Sequence, residues 1–257
     1  GNERLVARSG LGLSFSALFG PTPVPQAIAQ CEAIVGDGMS DRQVESLIGC
    51  KIAQLKAMNG EFETARSLYR RARALLRELG EGVLAASTGL DLVVVESLAG
   101  DLATAEREAR ADYEFLESRG ETYFLSTLAA LLARVVRDQG RDDEALALSK
   151  AAEAAAAEDD LDAQVLWRSI RAPIVARAGD CVAAEAFARA ALALARTTEI
   201  PVLQADALCD LAAVLSIAGR PGDARQAIAD ATAIYASKGD IVSVARWVAW
   251  AGQLGSD

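Results

Sequence analysis

The sequence has 257 residues, 52% hydrophobic and only 5% aromatic, and carries a formal net charge of −10. This acidic balance argues against general nucleic-acid binding, which needs clustered Lys and Arg. The sequence contains no His, which excludes Ser-His-Asp and Cys-His catalysis and every His-containing metal site. Neither a G-x-x-x-x-G-K-[ST] loop nor a G-x-G-x-x-G fingerprint occurs. We therefore expect no enzymatic activity, no cofactor and no metal in this chain.

The sequence gives no indication of a membrane or export signal. No signal peptide is visible, and no apolar run approaches the ~18 residues of a membrane span. We expect a soluble, cytoplasmic protein without a membrane partner. Because the chain does not begin with Met, we also expect it to be part of something longer.

A short pattern recurs along the chain: Gly, a turn, and Ala five positions after the Gly. It occurs at 60–65 (GEFETA), 100–105 (GDLATA), 140–145 (GRDDEA), 179–184 (GDCVAA) and 219–224 (GRPGDA). The successive glycines are 40, 40, 39 and 40 residues apart. A fixed period of this size is typical of stacked two-helix repeats.

The predicted helices follow from these glycines, in chain order. A first helix at 3–18, a turn at 20–25 and a short helix at 26–35 precede the regular repeats. In each repeat, helix A ends before the anchor Gly and helix B follows it, because Gly ends a helix in the left-handed conformation. Helices A are predicted at 41–58, 82–99, 122–138, 162–178 and 201–218. Helices B are predicted at 61–79, 101–118, 141–157, 180–196 and 221–237.

A last helix at 241–254 has no following partner and is predicted to be a terminal cap. The chain is thus predicted to be one repeat domain. Its repeats cover about 1–38, 39–80, 81–120, 121–160, 161–199 and 200–239, followed by a capping helix at 240–254.

Small residues recur where the two helices of a repeat should cross, which lets the backbones approach closely. Seven residues before the anchor glycines stand Ala53, Val93, Ala133, Ala172 and Ala212, and twelve after them Ala72, Asp112, Ala152, Ala191 and Ala231. With Phe62 and Tyr69 at aromatic positions, this pattern resembles the tetratricopeptide repeat. The resemblance implies an all-α, right-handed α-solenoid of about six helix pairs, although the period of 40 departs from the family's ~34.

Several stretches also resemble the C-terminal region of actinobacterial adenylate/guanylate cyclase–ATPase signalling proteins. They are 20–32 (GPTPVPQAIAQCE), 98–108 (LAGDLATAERE), 123–133 (YFLSTLAALLA), 159–168 (DDLDAQVLWR) and 205–220 (ADALCDLAAVLSIAGR). The resemblance carries over none of that family's catalytic residues. It implies a non-catalytic regulatory module that binds a protein or peptide segment, such as the upstream domains of the same chain, or a small anionic ligand.

The candidate binding residues lie on two consecutive helices A, which line the concave face in tetratricopeptide solenoids. They are Arg134, Arg137, Trp167, Arg168, Arg171 and Arg177. Guanidinium groups on adjacent helices suit a carboxylate or phosphate. The alternative is that the arginines pair with neighbouring carboxylates, as Arg134 could with Asp138, and that Trp167 belongs to the core. Arg171 stands in an otherwise apolar register and therefore needs a partner or a cavity.

Two further functions remain open from the sequence. One is the effector-sensing solenoid of a large LuxR-type transcription activator. The other is a self-association scaffold that uses apolar surface around Trp247 and Trp250 on the capping helix.

Overall fold

The computed structural model describes residues 2–36 and 41–254. Outside the described residues lie position 1 and the segments 37–40 and 255–257. The first predicted repeat, 1–38, and the second, 39–80, are therefore described only in part. Over the described ranges the chain forms helices, turns and bends and no strand, which confirms the all-α prediction. The contacts group the chain into two compact units, and the prediction of a single repeat domain stays a prediction.

Unit 1 comprises residues 1–120 together with 238–242. Its helices are α1 (Asn2–Phe19), α2 (Val24–Gly36), α3 (Arg42–Met58), α4 (Phe62–Glu78), α5 (Gly82–Ser87), α6 (Gly89–Ala99) and α7 (Leu102–Ser118). Unit 2 comprises residues 121–237 and 243–257. Its helices are α8 (Tyr123–Asp138), α9 (Asp142–Ala155), α10 (Leu161–Arg177), α11 (Cys181–Ala195), α12 (Pro201–Ile217) and most of α13 (Pro221–Lys238) and α14 (Ile241–Ala251).

The helix boundaries match the predicted ones closely because the glycines end the helices as expected. Gly60, Gly80, Gly100, Gly120, Gly140, Gly179, Gly219 and Gly239 all have φ between 66° and 101°. At Gly100, for example, φ is 80° and the following N–H of Asp101 donates to the carbonyl of Glu96 over 2.9 Å. This 6→1 bond is the mark of a Schellman cap, which closes α6.

The small positions of the repeat are buried where the two helices of a pair pack. The Ala five residues after each anchor Gly, at 65, 105, 145, 184 and 224, is fully buried in every repeat. The positions seven before the anchor are equally inaccessible. A larger side chain at either position would force the backbones apart, at a cost of roughly 1–3 kcal/mol.

The predicted helix at 82–99 is not continuous, and this is the one clear departure from the predicted helices. Thr88 separates α5 from α6, and its hydroxyl donates to the carbonyl of Ala85 over 2.6 Å, a local bond that competes with regular helix. Next to it, a Cβ on Gly89 would lie 2.5 Å from Oδ2 of Asp112. Of the five residues that stand twelve positions after the anchor glycines, Asp112 is the only charged one. Gly89 provides the space that its side chain needs.

The same segment, Gly82–Ala99, is the one described stretch long and apolar enough to cross a membrane, judged by length and composition alone. This differs from the expectation that no apolar run approaches the length of a membrane span. Some 56% of it is buried inside the protein, and it carries two buried carboxylates. Asp91 accepts a hydrogen bond from Lys51 over 2.6 Å, and Glu96 accepts one from Arg66 over 2.6 Å. These ion pairs join α6 to the preceding helix pair, α3 and α4.

A buried lysine ties the segment 238–242 to α1 within unit 1. Nζ of Lys238 donates to the carbonyls of Ala17, Gly20 and Thr22, each over 2.8 Å. The side chain is 1% exposed. It therefore supplies donors to carbonyls at and just after the C-terminus of α1, which have no partner within the helix.

Candidate functional site

The candidate arginines lie in unit 2, on α8 and α10, and both helices pack against each other. The structure divides the set into three groups, which differ in what satisfies each guanidinium. α8 carries Arg134 and Arg137, and α10 carries Trp167, Arg168, Arg171 and Arg177.

Arg134 and Arg137 belong to a buried charge network with α12. Nη1 of Arg134 donates to Oδ2 of Asp206, and Nη1 of Arg137 to Oδ1 of Asp210, each over 2.7 Å. Burial opposes the charged guanidinium of Arg134, but the carboxylates of Asp206 and Asp210 hold its pKa above the usual value. Arg137 also donates to Oδ1 of Asp138 over 2.9 Å, so two cations face three carboxylates and no positive charge is left over for an anionic ligand.

Tyr235 of α13 completes this network. Its hydroxyl donates to Oδ1 of Asp206 over 2.5 Å and lies 3.9 Å from Sγ of Cys209. Burial, together with the charge of Asp206, raises the pKa of Tyr235 well above its usual value, so the phenol stays neutral. A network of this kind fixes α8, α12 and α13 relative to one another, because removing one charge would leave its partner buried and unpaired.

Arg171 and Arg177 pair with α9. Nη2 of Arg171 donates to Oε2 of Glu153 over 2.7 Å and, more weakly, to the carbonyl of Ser149 over 3.3 Å. Glu153 is thus the partner that Arg171 needs at a position where the other repeats have apolar residues. Arg177 forms two bonds of 2.6 Å to the carboxylate of Asp142 at the start of α9. This two-point geometry is the stronger form of an Arg–carboxylate pair.

Trp167 is a core residue in its surroundings, being 5% exposed. Its indole N–H donates to Oε1 of Gln164 over 3.1 Å, and its ring meets the edge of Phe187 at 6.2 Å. The guanidinium groups of Arg168 and Arg171 lie 4.0 and 4.5 Å from the ring centroid. The ring face is therefore used within the protein, and direct contact of Trp167 with a partner stays a prediction.

Arg168 differs from the other four arginines. Nη1 donates to the carbonyl and to Oε1 of Gln164, over 2.7 and 2.6 Å, and the guanidinium forms no salt bridge with the described residues. Partial burial lowers the pKa of Arg168. The negative charge of Glu153 raises this pKa, and the positive charge of Arg171 lowers it further. The guanidinium is held by Trp167 and Gln164 while Nε and Nη2 make no hydrogen bond to the described chain.

Sequence reasoning identified the arginines but missed their partners. Asp206 and Asp210 stand four residues apart in the apolar helix α12, and this spacing of two acids on one face was the available signal. The arginines of α4, at 66, 70, 73 and 77, also recur at helical spacing, but they were not among the candidate residues.

No known protein family matches the chain, and no curated protein is significantly similar to it. Among solved structures, the fold is similar to that in the crystal structure of BtubC (BKLC) from P. vanneervenii, with a TM-score of 0.58 and 17% sequence identity. The similarity covers 83% of this chain and 89% of that chain. At this identity the likeness concerns the fold alone, and it supports a helical-repeat arrangement of the helix pairs.

Proposed function

We propose that the chain is a non-catalytic regulatory module that binds a protein or peptide segment through Arg168 of α10, whose side chain is partly exposed. The observation that carries the proposal is the guanidinium of Arg168, which stacks on Trp167 and has no carboxylate partner among the described residues. A guanidinium already held in place loses little conformational freedom on binding and offers a planar fork to a carboxylate. Arg171 and Arg177 would then serve to position α10 against α9.

We propose further that the parent is a cytoplasmic multidomain cyclase–ATPase signalling protein, in which this chain forms a tetratricopeptide-type C-terminal region. The support is the resemblance of five segments, of which 159–168 includes Trp167 and Arg168. The partner would be an upstream domain of the same protein. The sequence of the complete gene tests this directly, because an upstream cyclase or ATPase signature agrees with it. A downstream helix-turn-helix would support the LuxR-type alternative instead.

The binding role is tested with one substitution and a matched control. Arg168→Gln removes the stacked charge, whereas Arg189→Gln removes an exposed charge on α11 that pairs with Glu185. The probe is the upstream segment encoded by the same gene, titrated against the whole chain by calorimetry. We expect Arg168→Gln to weaken binding about tenfold, which corresponds to loss of one charge-assisted contact, and the control to have little effect. No binding by the wild-type chain, or equal effects of both substitutions, would refute the proposal.

A second candidate function, self-association, is favoured by α14. Val248 is 57% exposed beside Trp247 and Trp250, whose rings meet edge to face at 5.6 Å. Exposed apolar groups of this size suit a protein interface. Light scattering of the whole chain tests this candidate, since it requires a mass above that of the 26.9 kDa monomer.

A further inference from the structure

A second cluster of arginines lies in unit 1. It surrounds a groove of about 380 Å³ between α4 and α7, lined by Arg70, Arg73, Arg77, Thr104, Arg107 and Glu108 among others. We refer to this groove as the arginine groove. A volume of this size is at the lower end of the range of small-ligand pockets.

The arrangement follows from the sequence of α4. Arg70, Arg73 and Arg77 are three and four residues apart, so they share one face of the helix, and that face points toward α7. Arg107 completes the set from the other side. Long side chains facing each other across two neighbouring helices leave the open space between them.

Arg73 lies at the base of the groove, with its side chain only 7% exposed. Nη2 pairs with Oδ1 of Asp112, and Nη1 is 3.8 Å from Oε2 of Glu108, beyond hydrogen-bond distance. Nε and Nη1 are buried without any hydrogen-bond partner. Buried donors of a charged group are unfavourable without an acceptor, and an oxyanion in the groove would supply one.

The other three arginines are also only weakly satisfied. Arg70 and Arg77 form no salt bridge with the described residues, and Arg70 lies 5.9 Å from the ring of Tyr69. Arg107 bonds only to its sequence neighbour Glu108, over 3.2 and 3.4 Å. Four cations against Glu108 and Asp112 leave a formal surplus of two positive charges in a chain whose net charge is −10.

We propose that the arginine groove binds the phosphate group of a small phosphorylated molecule. A phosphate monoester carries a charge of about −1.5 to −2 at neutral pH and three acceptor oxygens, which matches the surplus charge and the free N–H groups. A carboxylate would leave one charge uncompensated. The site does not depend on Arg168 or on the function proposed for α10.

The test uses calorimetric titration of the whole chain with inorganic phosphate and with AMP, and acetate as the carboxylate probe. The groove variant is Arg70→Gln with Arg107→Gln, because both side chains are exposed and their loss should not unfold α4 or α7. The matched control is Arg71→Gln with Arg189→Gln, which removes two exposed charges outside the groove. We expect saturable binding of phosphate and AMP by the wild type and the control, and affinity at least about tenfold weaker in the groove variant.

Several results would overturn the assignment. Absence of saturable binding at millimolar phosphate and AMP would show that the groove is not a phosphate site. Equal weakening in both variants would indicate general charge attraction, and acetate bound as tightly as phosphate would remove the preference for a dianion. A phosphoserine peptide is titrated in the same way. If it binds through the same arginines and AMP does not bind, the site belongs to a protein partner instead.

Discussion

Replacing Lys238 by Met removes the charged donor that serves three carbonyls in unit 1. The wild-type Nζ lies 2.8 Å from the carbonyl oxygens of Ala17, Gly20 and Thr22, and the side chain is almost completely buried. Met has nearly the same length and fills the same volume. The substitution therefore isolates the polar contribution from that of packing.

The expected loss follows from two opposing contributions. Hydrogen bonds to a charged group contribute about 1.5–3 kcal/mol each, which for three bonds gives about 5–9 kcal/mol. Burial opposes the charge and lowers the pKa of Lys238 from 10.5 to about 8. At 1.36 kcal/mol per pKa unit this corresponds to about 3 kcal/mol. The difference predicts that Lys238→Met lowers the free energy of unfolding by roughly 2–6 kcal/mol.

The measurement is urea-induced unfolding followed by circular dichroism at neutral pH, with wild type and variant compared at equal slopes. Lys150→Met is the control, because Lys150 is exposed on α9 and its loss should change stability by less than about 0.5 kcal/mol. If Lys238→Met unfolds at the wild-type midpoint or above it, the three carbonyls do not depend on Lys238 and the reasoning fails.

Three further predictions concern the core, a buried acid and α14. Ala145→Leu should destabilise by roughly 1–3 kcal/mol through overpacking, whereas Ala147→Leu on the exposed face of α9 should be nearly neutral; equal melting temperatures would contradict the packing argument. Burial raises the pKa of Asp112 to about 6, above the usual 3.8, despite Arg73, so the stability that this group contributes is present below pH 4 and is lost as pH rises through 6. As pH rises from 4 to 7, the free energy of unfolding of Asp112→Asn, measured in urea, should therefore increase by about 3 kcal/mol relative to that of the wild type. A difference between the two proteins that does not change with pH would refute this. If α14 mediates self-association, Val248→Asp should reduce the mass measured by light scattering and Val182→Asp, also exposed, should not; a monomeric wild type excludes the interface.

Most of the helical architecture could be predicted from the sequence because helix ends are decided locally. A left-handed residue after the last turn and small residues at fixed offsets act within a few positions along the chain, as at Gly100 and Ala105. The break at Thr88 escaped prediction because it accompanies a contact with Asp112 on another helix. Its only local sign was an acid standing where the other repeats have Ala.

The sequence by itself determined which residues are charged, where the helices begin and end, and that Arg171 required a partner. Only the tertiary structure decided which carboxylate each arginine meets. Arg134 has Asp138 one turn away on its own helix, yet it bonds to Asp206, 72 residues further on. Lys238 likewise bonds to carbonyls more than 200 residues earlier. Ion pairs depend on which helix faces pack together, and periodicity within one helix specifies a face but not the neighbour that will cover it.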